Sequence, residues 1–388
     1  MLTFMVALGQ MSMGLYLPSM PSMAKTLGTD VGQVQLTLTV FIGGFAVSQL
    51  IWGPMSDRFG RRVTLMIGLA VFAVAGFACS IAQTVEQLIA LRFLQAIGAC
   101  SGQVIARAVV RDTTEGATTA KVMSYIALAM SLSPAITPSL GGFLEEALGW
   151  RSNFVLLGVI GLTLSTIVVL RLPETNRYPQ GDALQIRPML RNYGTLLRDR
   201  TYMGYILVVG FIFGSLMSYQ TGSPFVLMEG LGWSPREYGL LILLNVFGFL
   251  SGSILTAKFA ARIGVPRMVA YGSWAVVLGG ALMVTAPLLD HLSTAAVILP
   301  MMIFLFGMGV ALPSAFTGEL SGFPRIAGSA AALMGFTQMG VAMVASFTIS
   351  RLHDNVHLTM AAVFALSSLG CLLSQMLLVG TPKTPRIS

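Results

Sequence analysis

The chain has 388 residues, of which 55% are hydrophobic and only 10% are charged. Soluble globular domains carry about 25% charged residues, so this composition excludes a water-soluble protein. The formal net charge is +8, which in a soluble chain would suggest nucleic-acid binding. Here membrane topology explains the positive side chains better, and we expect no nucleic-acid partner.

Uninterrupted apolar stretches predict transmembrane helices, because a helix needs about 20 apolar residues to cross the hydrocarbon core. The first six lie near 2–24, 33–55, 63–82, 87–110, 119–143 and 152–172. The second six lie near 201–224, 238–257, 266–288, 295–318, 327–350 and 358–380. The predicted fold is an all-α polytopic membrane protein with twelve transmembrane helices. Its predicted parts are an amino-terminal six-helix bundle (1–172), a cytoplasmic linker loop (173–200) and a carboxy-terminal six-helix bundle (201–388).

Lys and Arg are distributed unevenly between the predicted loops. If the amino terminus is inside, 17 of the 23 fall in cytoplasmic segments and four in outside loops. Cytoplasmic loops of helical membrane proteins collect positive charge. The prediction is therefore a multi-pass protein with both termini in the cytoplasm, which requires an even number of spans.

Residue types that carry covalent or metal chemistry show no useful pattern. Cys79, Cys100 and Cys371 lie inside apolar runs, which predicts buried thiols rather than disulfides or metal ligands. His291, His353 and His357 are scattered without metal-ligand spacing. The sequence contains no phosphate-binding G-x-x-x-x-G-K-[ST], nucleophile elbow or H-E-x-x-H. We expect no metal, no cofactor and no enzymatic activity.

The fourth predicted span carries polar side chains at membrane depth. At 100° per residue Arg92, Gln103 and Arg107 fall within about 60° of one another, with Gln95 flanking them. Lipid cannot satisfy such a face, so it is predicted to line a water-accessible cavity. For Arg107, snorkelling to the cytoplasmic interface is an equal alternative.

Polar and aromatic residues deep in other predicted spans complete the candidate cavity. Each could instead hydrogen-bond a neighbouring helix. They are Gln10, Tyr16, Tyr219, Gln220, Asn245 and Gln338.

Several motifs resemble those of the major facilitator superfamily. Residues 53–62 match its signature G-x-x-x-D-R-x-G-R-R at every fixed position, and residues 91–98 resemble its arginine motif in span 4. Residues 137–142 resemble the antiporter motif G-P-x-x-G-G, with Thr137 in place of the first Gly. Residues 16–21, 106–112, 149–151 and 327–330 resemble marks of the Bcr/CflA type of drug/proton antiporters.

The resemblance implies a monomeric, proton-coupled exporter of small amphipathic, mostly neutral drugs such as antibiotics, in the lipid of the bacterial inner membrane. It would work by alternating access, with one bundle rocking against the other. A latch on the cytoplasmic side and a central interface that closes against leakage are implied for two groups of residues. The latch residues are Asp57, Arg58, Arg61, Arg62 and Asp112, and the interface residues are Pro138, Gly141 and Gly142.

The acidic residues depart from the family pattern. Bcr/CflA proteins commonly carry Asp where this chain has Gly14, and all 15 acidic residues fall at span ends or in loops. Asp57, Asp112, Glu237 and Glu319 are the candidate proton carriers. Without a buried acid in span 1, Arg92 and Arg107 favour neutral or weakly anionic cargo. An exporter or importer of a sugar, amino-acid derivative or nucleoside stays an alternative, as does a membrane sensor or scaffold without flux.

Overall fold

The computed structural model describes residues 1–114, 116–176, 186–289, 292–323, 326–352 and 354–379. Every regular element in these ranges is a helix, as predicted. The helices are α1 (Leu2–Gly14), α2 (Met20–Leu27), α3 (Val31–Phe59), α4 (Arg61–Ser80), α5 (Val85–Thr113), α6 (Gly116–Leu148), α7 (Arg151–Arg171), α8 (Ile186–Arg198), α9 (Arg200–Pro224), α10 (Pro235–Ile263), α11 (Val265–Leu288), α12 (Thr294–Ser321), α13 (Ala327–Arg351) and α14 (Val356–Ser374). Leu17–Ser19 forms a 3₁₀ turn, and Phe225–Gly230 and Gln375–Val379 extend α9 and α14 as π-helix.

Ten helices in the described ranges are long and apolar enough to cross a membrane. They coincide with predicted spans 2–4 and 6–12. The segment from α1 to α2 and the helix α6 occupy the positions of predicted spans 1 and 5. The chain is therefore a multi-pass membrane protein.

The first predicted span is broken in the structure and is not one continuous helix. The helix α1 ends at Gly14, and α2 begins only at Met20. Pro18 has no N–H to bond the carbonyl of Gly14, four residues earlier, so the α-helical ladder stops there. A second difference is α8, a helix inside the stretch predicted to be a linker loop.

The joints between consecutive long helices repeat along the chain. The helices α3 and α4 meet at Gly60, with φ +94° and ψ 154°, while α10 and α11 meet at Gly264, with φ 87° and ψ 152°. Glycine adopts this positive φ without the strain that a Cβ would cause. These two connections thus share one backbone conformation at their glycines.

The described chain forms two compact units. The first contains Met1–Ile186, Gln220–Leu243 and Ser346–Val356. The second contains Arg187–Tyr219, Leu244–Ala345 and His357–Ser388, although residues beyond 379 lie outside the described ranges. In the second unit a core cluster joins α8, α9 and α13 through Leu196, Tyr202, Ile206, Ala330 and Leu333.

Small residues let helices approach closely at two G-x-x-x-G pairs. A Cβ on Gly102 would lie 2.6 Å from the carbonyl oxygen of Met5, and one on Gly98 would lie 2.5 Å from the backbone nitrogen of Phe72. Gly248 and Gly252 likewise face carbonyl oxygens of α12. The three cysteines are buried and free, as predicted. Of the histidines, His357 begins α14, whereas His291 and His353 lie outside the described residues.

Candidate transport site

The guanidinium of Arg92 is enclosed by protein inside the first unit, with 0% of the residue exposed. Its Nη1 donates to Gln95 Oε1 at 2.7 Å, and its Nη2 donates to the carbonyl oxygen of Ser12 at 3.0 Å. The ring centroids of Tyr16 and Phe41 lie 4.3 and 4.1 Å from its Cζ. Ring faces attract a cation, so these groups solvate Arg92 in place of water.

The break after α1 explains why Arg92 binds there. Ser12 lies in the last turn of α1, where carbonyl oxygens have no further N–H of their own helix to bond. A cation at a helix carboxyl end also interacts favourably with the helix dipole. Arg92 therefore joins the end of α1 to α5, and Gln95, one turn along α5, fixes the guanidinium in position.

The prediction that Arg92 faces a water-filled cavity is wrong in this structure. The predicted polar face of α5 exists, but Arg92, Gln95 and Gln103 are all buried. Bundle packing explains the difference, since carbonyl, amide and aromatic groups from α1, α3 and α5 itself surround Arg92. Helical periodicity shows that a face avoids lipid but does not say whether water or protein covers it.

Arg107 differs from Arg92 in its surroundings. It is partly exposed, and its Nη2 donates to Met130 Sδ at 3.2 Å. Met130 lies near the middle of α6, so the guanidinium points toward the middle of the bundle and does not snorkel toward the carboxyl end of α5. One turn earlier, the buried Oε1 of Gln103 has no hydrogen-bond partner among the described residues.

The remaining predicted cavity residues are buried, and two of them meet. In the second unit Asn245 Nδ2 donates to Tyr219 Oη at 3.4 Å. The other four are buried as well, but within the described ranges no hydrogen bond joins them to one another. They are Gln10, Tyr16, Gln220 and Gln338. Their contact with cargo stays a prediction.

The predicted latch residues Asp57, Arg61 and Asp112 form one ion-pair network at the joint between α3 and α4. Arg61, only 5% exposed, places Nη1 2.5 Å from Asp57 Oδ1 and Nε 2.9 Å from Asp112 Oδ2. Its Nη1 also donates to Ser56 Oγ at 2.6 Å. The guanidinium of Arg61 is buried while the side chains of Asp57 and Asp112 are 39% and 20% exposed, so removal of both carboxylates would leave a buried positive charge unpaired.

Arg58 and Arg62 lie outside this network. The Cζ of Arg58 stands 5.3 Å from the ring centroid of Phe59. Arg62 Nη2 donates to the carbonyl oxygen of Val169 at 2.7 Å. Both therefore serve as surface anchors in this structure.

Glu174, which follows α7, caps the amino terminus of α4. Its Oε1 accepts the backbone N–H of Arg61 at 2.9 Å, and its Oε2 accepts that of Arg62 at 3.1 Å. Burial raises the pKa of Glu174, but N–H donors of Asn176, Arg61, Arg62 and Thr175 outweigh burial, and the pKa lies below its usual value. Sequence reasoning missed Glu174. The sequence signal was an acidic residue directly after span 6. The glycine before α4 has no side chain to cap that helix, so an acid from elsewhere can do so.

Glu174→Gln is expected to lower the thermal unfolding temperature by about 1–2 °C at pH 7. Because the folded-state pKa is depressed, the contribution of the carboxylate is present above the unfolded pKa and is lost as pH falls through the folded pKa. The difference between the variants should therefore begin to shrink below the unfolded pKa of about 4.3 and vanish only once the pH is below the folded pKa. Thermal unfolding across a pH series measures it, with the exposed Glu146→Gln as control. An equal deficit at every pH would contradict this reading.

The antiporter-like motif packs tightly against neighbouring segments. A Cβ on Gly141 would overlap the carbonyl oxygen of Leu15, and one on Gly142 would overlap that of Pro235 in α10. The carbonyl of Pro138 in turn lies against Gly239, at 2.7 Å from the position of a Cβ. Whether this interface prevents leakage stays a prediction.

The two departures from the family pattern meet in space. A Cβ on Gly14 would overlap Oγ1 of Thr137, the residue that replaces the first Gly of the antiporter motif. The threonine side chain fills the room that a side chain at position 14 would need. This packing explains why Gly14, and not an acid, occupies that position.

A buried group of hydroxyls, which sequence reasoning missed, lies elsewhere in the first unit. Thr39 Oγ1 lies 2.7 Å from Ser346 Oγ, and Thr221 Oγ1 donates to Ser346 Oγ at 3.0 Å. Gln35 Nε2 donates to the carbonyl oxygen of Thr221 at 3.1 Å. We call these four residues the hydroxyl cluster. It links α3 to α9 and α13, and single Ser and Thr residues in apolar spans gave no signal for it.

Residues 2–347 match the Major Facilitator Superfamily. The chain belongs to this superfamily. It is 32% identical over 348 residues to an uncharacterized MFS-type transporter, YdgK, of Bacillus subtilis, and the alignment covers 89% of this chain and 86% of that protein. It is 29% identical to a Bicyclomycin resistance protein homolog of Haemophilus influenzae (88% and 87% covered) and 28% identical to Multidrug resistance protein D of Escherichia coli (90% and 87% covered).

Solved structures agree on the fold. A POT family transporter in complex with a thioalcohol-conjugated peptide matches with a TM-score of 0.75 at 15% identity, covering 96% of this chain and 93% of that one. The xylose transporter XylE of Escherichia coli matches with a TM-score of 0.71 at 14% identity, covering 95% of each chain. The predicted fold and the resemblance to Bcr/CflA-type transporters are confirmed, and the protein is a drug-transporter relative, not an enzyme.

Proposed function

We propose that the protein exports small amphipathic, mostly neutral drugs, antibiotics among them, across the bacterial inner membrane in exchange for protons. The observation that carries this proposal is the similarity, over most of the chain, to proteins named for multidrug and bicyclomycin resistance. The excess of Lys and Arg in alternate loops supports an orientation with both termini in the cytoplasm.

Cargo would meet Arg107 and Gln103 rather than Arg92. Carbonyl, amide and ring partners already hold both terminal nitrogens of the Arg92 guanidinium, and only its buried Nε has no hydrogen-bond partner among the described residues. Arg107 has five N–H donors, and Met130 Sδ accepts from one nitrogen. Together with the free Oε1 of Gln103, Arg107 offers a donor and an acceptor one helical turn apart, which suits neutral cargo with polar groups.

Alternating access requires contacts that close one end and break when it opens. In the proposed orientation, α3 begins outside while α9 and α13 end there, so the hydroxyl cluster lies toward the outer side. It joins α3 to two helices from the second half of the sequence. The Arg61 network lies at the opposite end of α3, where it would hold the cytoplasmic joint of the first six helices.

Inside-out membrane vesicles with an imposed pH gradient test the proposal. We expect uptake of one or more members of an antibiotic panel that includes bicyclomycin, together with dissipation of the gradient. Arg107→Ala should reduce that uptake about tenfold, the loss expected for one charge-assisted hydrogen bond. Glu146→Gln, an exposed change on α6, is the matched control.

Two outcomes contradict the proposal. Gradient-driven uptake of a sugar, amino-acid derivative or nucleoside without any antibiotic flux would indicate a metabolite transporter. No flux of any compound, together with unchanged drug tolerance on expression, would indicate a sensor or scaffold.

A further inference from the structure

Glu319 is a buried carboxylate of the second unit with no counter-ion among the described residues. It lies near the carboxyl end of α12 with 2% of the residue exposed. Neither Oε1 nor Oε2 has a hydrogen-bond partner among the described residues. An ionised carboxylate in such a place would bear a large desolvation penalty, so Glu319 is uncharged in this conformation.

The groups that surround Glu319 do not neutralise it. A Cβ on the neighbouring Gly318 would overlap the ring of Tyr205 in α9. Tyr202, also in α9, interacts with Glu319 electrostatically, and Tyr193 of α8 lies close to Tyr202. The Tyr202 hydroxyl donates to the carbonyl oxygen of Ala330 in α13 at 2.8 Å and is therefore already used. Phenols are neutral at physiological pH; Arg325 lies outside the described residues.

The two halves of the chain share a glycine joint but differ in the residue that follows it. In the first half, Gly60 precedes Arg61 at the start of α4, and Arg61 pairs with Asp112 near the end of α5. In the second half, Gly264 has the same backbone conformation, but the next residue, at the start of α11, is Val265. Glu319, near the end of α12, thus corresponds in chain position to Asp112, near the end of α5, but the residue that follows Gly264 is not an arginine.

We propose that Glu319 binds and releases the proton exchanged during transport. It is neutral while α12 and α9 enclose it and becomes ionised when water reaches it. The proton comes from water on one side of the membrane and returns to water on the other, so no other reactant is needed. The inference rests on the proposed proton-coupled export, because only a coupled transporter needs such a group.

Infrared spectroscopy of the full-length protein in lipid tests the protonation state without any cargo. A C=O band of a protonated carboxylic acid is expected at neutral pH, where exposed glutamates are ionised, and it should disappear as pH rises. Glu319→Gln should remove this band, while the exposed Glu146→Gln should retain it. Val265→Arg supplies the partner that Arg61 supplies to Asp112, and it should also remove the band. A neutral-pH band unaffected by Glu319→Gln, or no such band, overturns the inference.

The coupling is tested in the inside-out vesicles. In Glu319→Gln the rate of drug-induced dissipation of the pH gradient should fall at least tenfold. The affinity of this variant for the same antibiotic should stay within about twofold of wild type. Retained dissipation in Glu319→Gln overturns the role of Glu319 while export stands. An infrared band that depends on Glu319, in a protein that moves no antibiotic, supports the proton site and refutes export instead. If Glu319→Gln does not fold, Val265→Arg provides the same comparison.

Discussion

Arg92→Ala is expected to abolish drug tolerance and to reduce the amount of folded protein. The change leaves the carbonyl of Ser12 and the amide of Gln95 buried without their donor, and it opens a cavity beside the rings of Tyr16 and Phe41. Cavities and unpaired buried polar groups each destabilise by a few kcal/mol, so a total of about 3 kcal/mol or more is expected. Thermal unfolding and the folded yield after extraction measure the stability, and growth inhibition measures the function.

Arg92→Lys separates charge from geometry. A lysine retains the cation near the rings, but its compact ammonium cannot reproduce the planar fork that spans Gln95 and Ser12. We expect intermediate stability. Arg107→Ala, by contrast, should leave the unfolding temperature almost unchanged, because that guanidinium has only a sulfur partner among the described residues. An Arg92→Ala protein with normal yield, unfolding temperature and drug tolerance would refute the proposal that Arg92 stabilises the packing of α1 against α5.

Local sequence was enough to predict the helices and the polar face of α5. Partners distant in sequence were beyond it. The ring of Phe41 and the carbonyl of Ser12 reach Arg92 from other helices, and Glu174 is 113 residues from the N–H of Arg61 that it accepts. Which helix covers a polar face depends on tertiary packing, so periodicity predicted a water-lined cavity where the structure has an aromatic enclosure.

Two prolines in the sequence account for the break after α1. Pro18 and Pro21 lie inside an apolar run that is long enough for one helix. Hydropathy therefore indicated a single span, while the missing N–H groups ended the helix at Gly14. That end matters for the site, because it frees the carbonyl that Arg92 binds.

Two neighbouring glycines are expected to give opposite phenotypes. Gly141→Ala places a methyl group on the carbonyl of Leu15, directly after α1 and inside the core of the first six helices. Neither segment can move away without disturbing the break that Arg92 stabilises. Overpacking of this kind typically destabilises by about 1–3 kcal/mol, so Gly141→Ala should lower both the unfolding temperature and the folded yield.

Gly142→Ala instead places its methyl group on the carbonyl of Pro235, at the first residue of α10. If transport separates α6 from α10, the clash destabilises only the conformation in which they touch. A difference of about 1–3 kcal/mol then shifts the conformational equilibrium roughly 5- to 150-fold, with little change in the unfolding temperature. Gly340→Ala in α13, where a Cβ meets nothing within 4 Å, is the control.

A disulfide across the hydroxyl cluster reports that shift. Thr39→Cys with Ser346→Cys should cross-link readily, since the hydroxyl oxygens they replace are 2.7 Å apart, and the three native cysteines are buried and should not compete. Cross-linking should be slower in the Gly142→Ala background and unchanged in the Gly340→Ala background. Wild-type cross-linking in Gly142→Ala would mean that the contact between α6 and α10 persists throughout the cycle. The second half of the chain would then have to move about that contact instead of away from it.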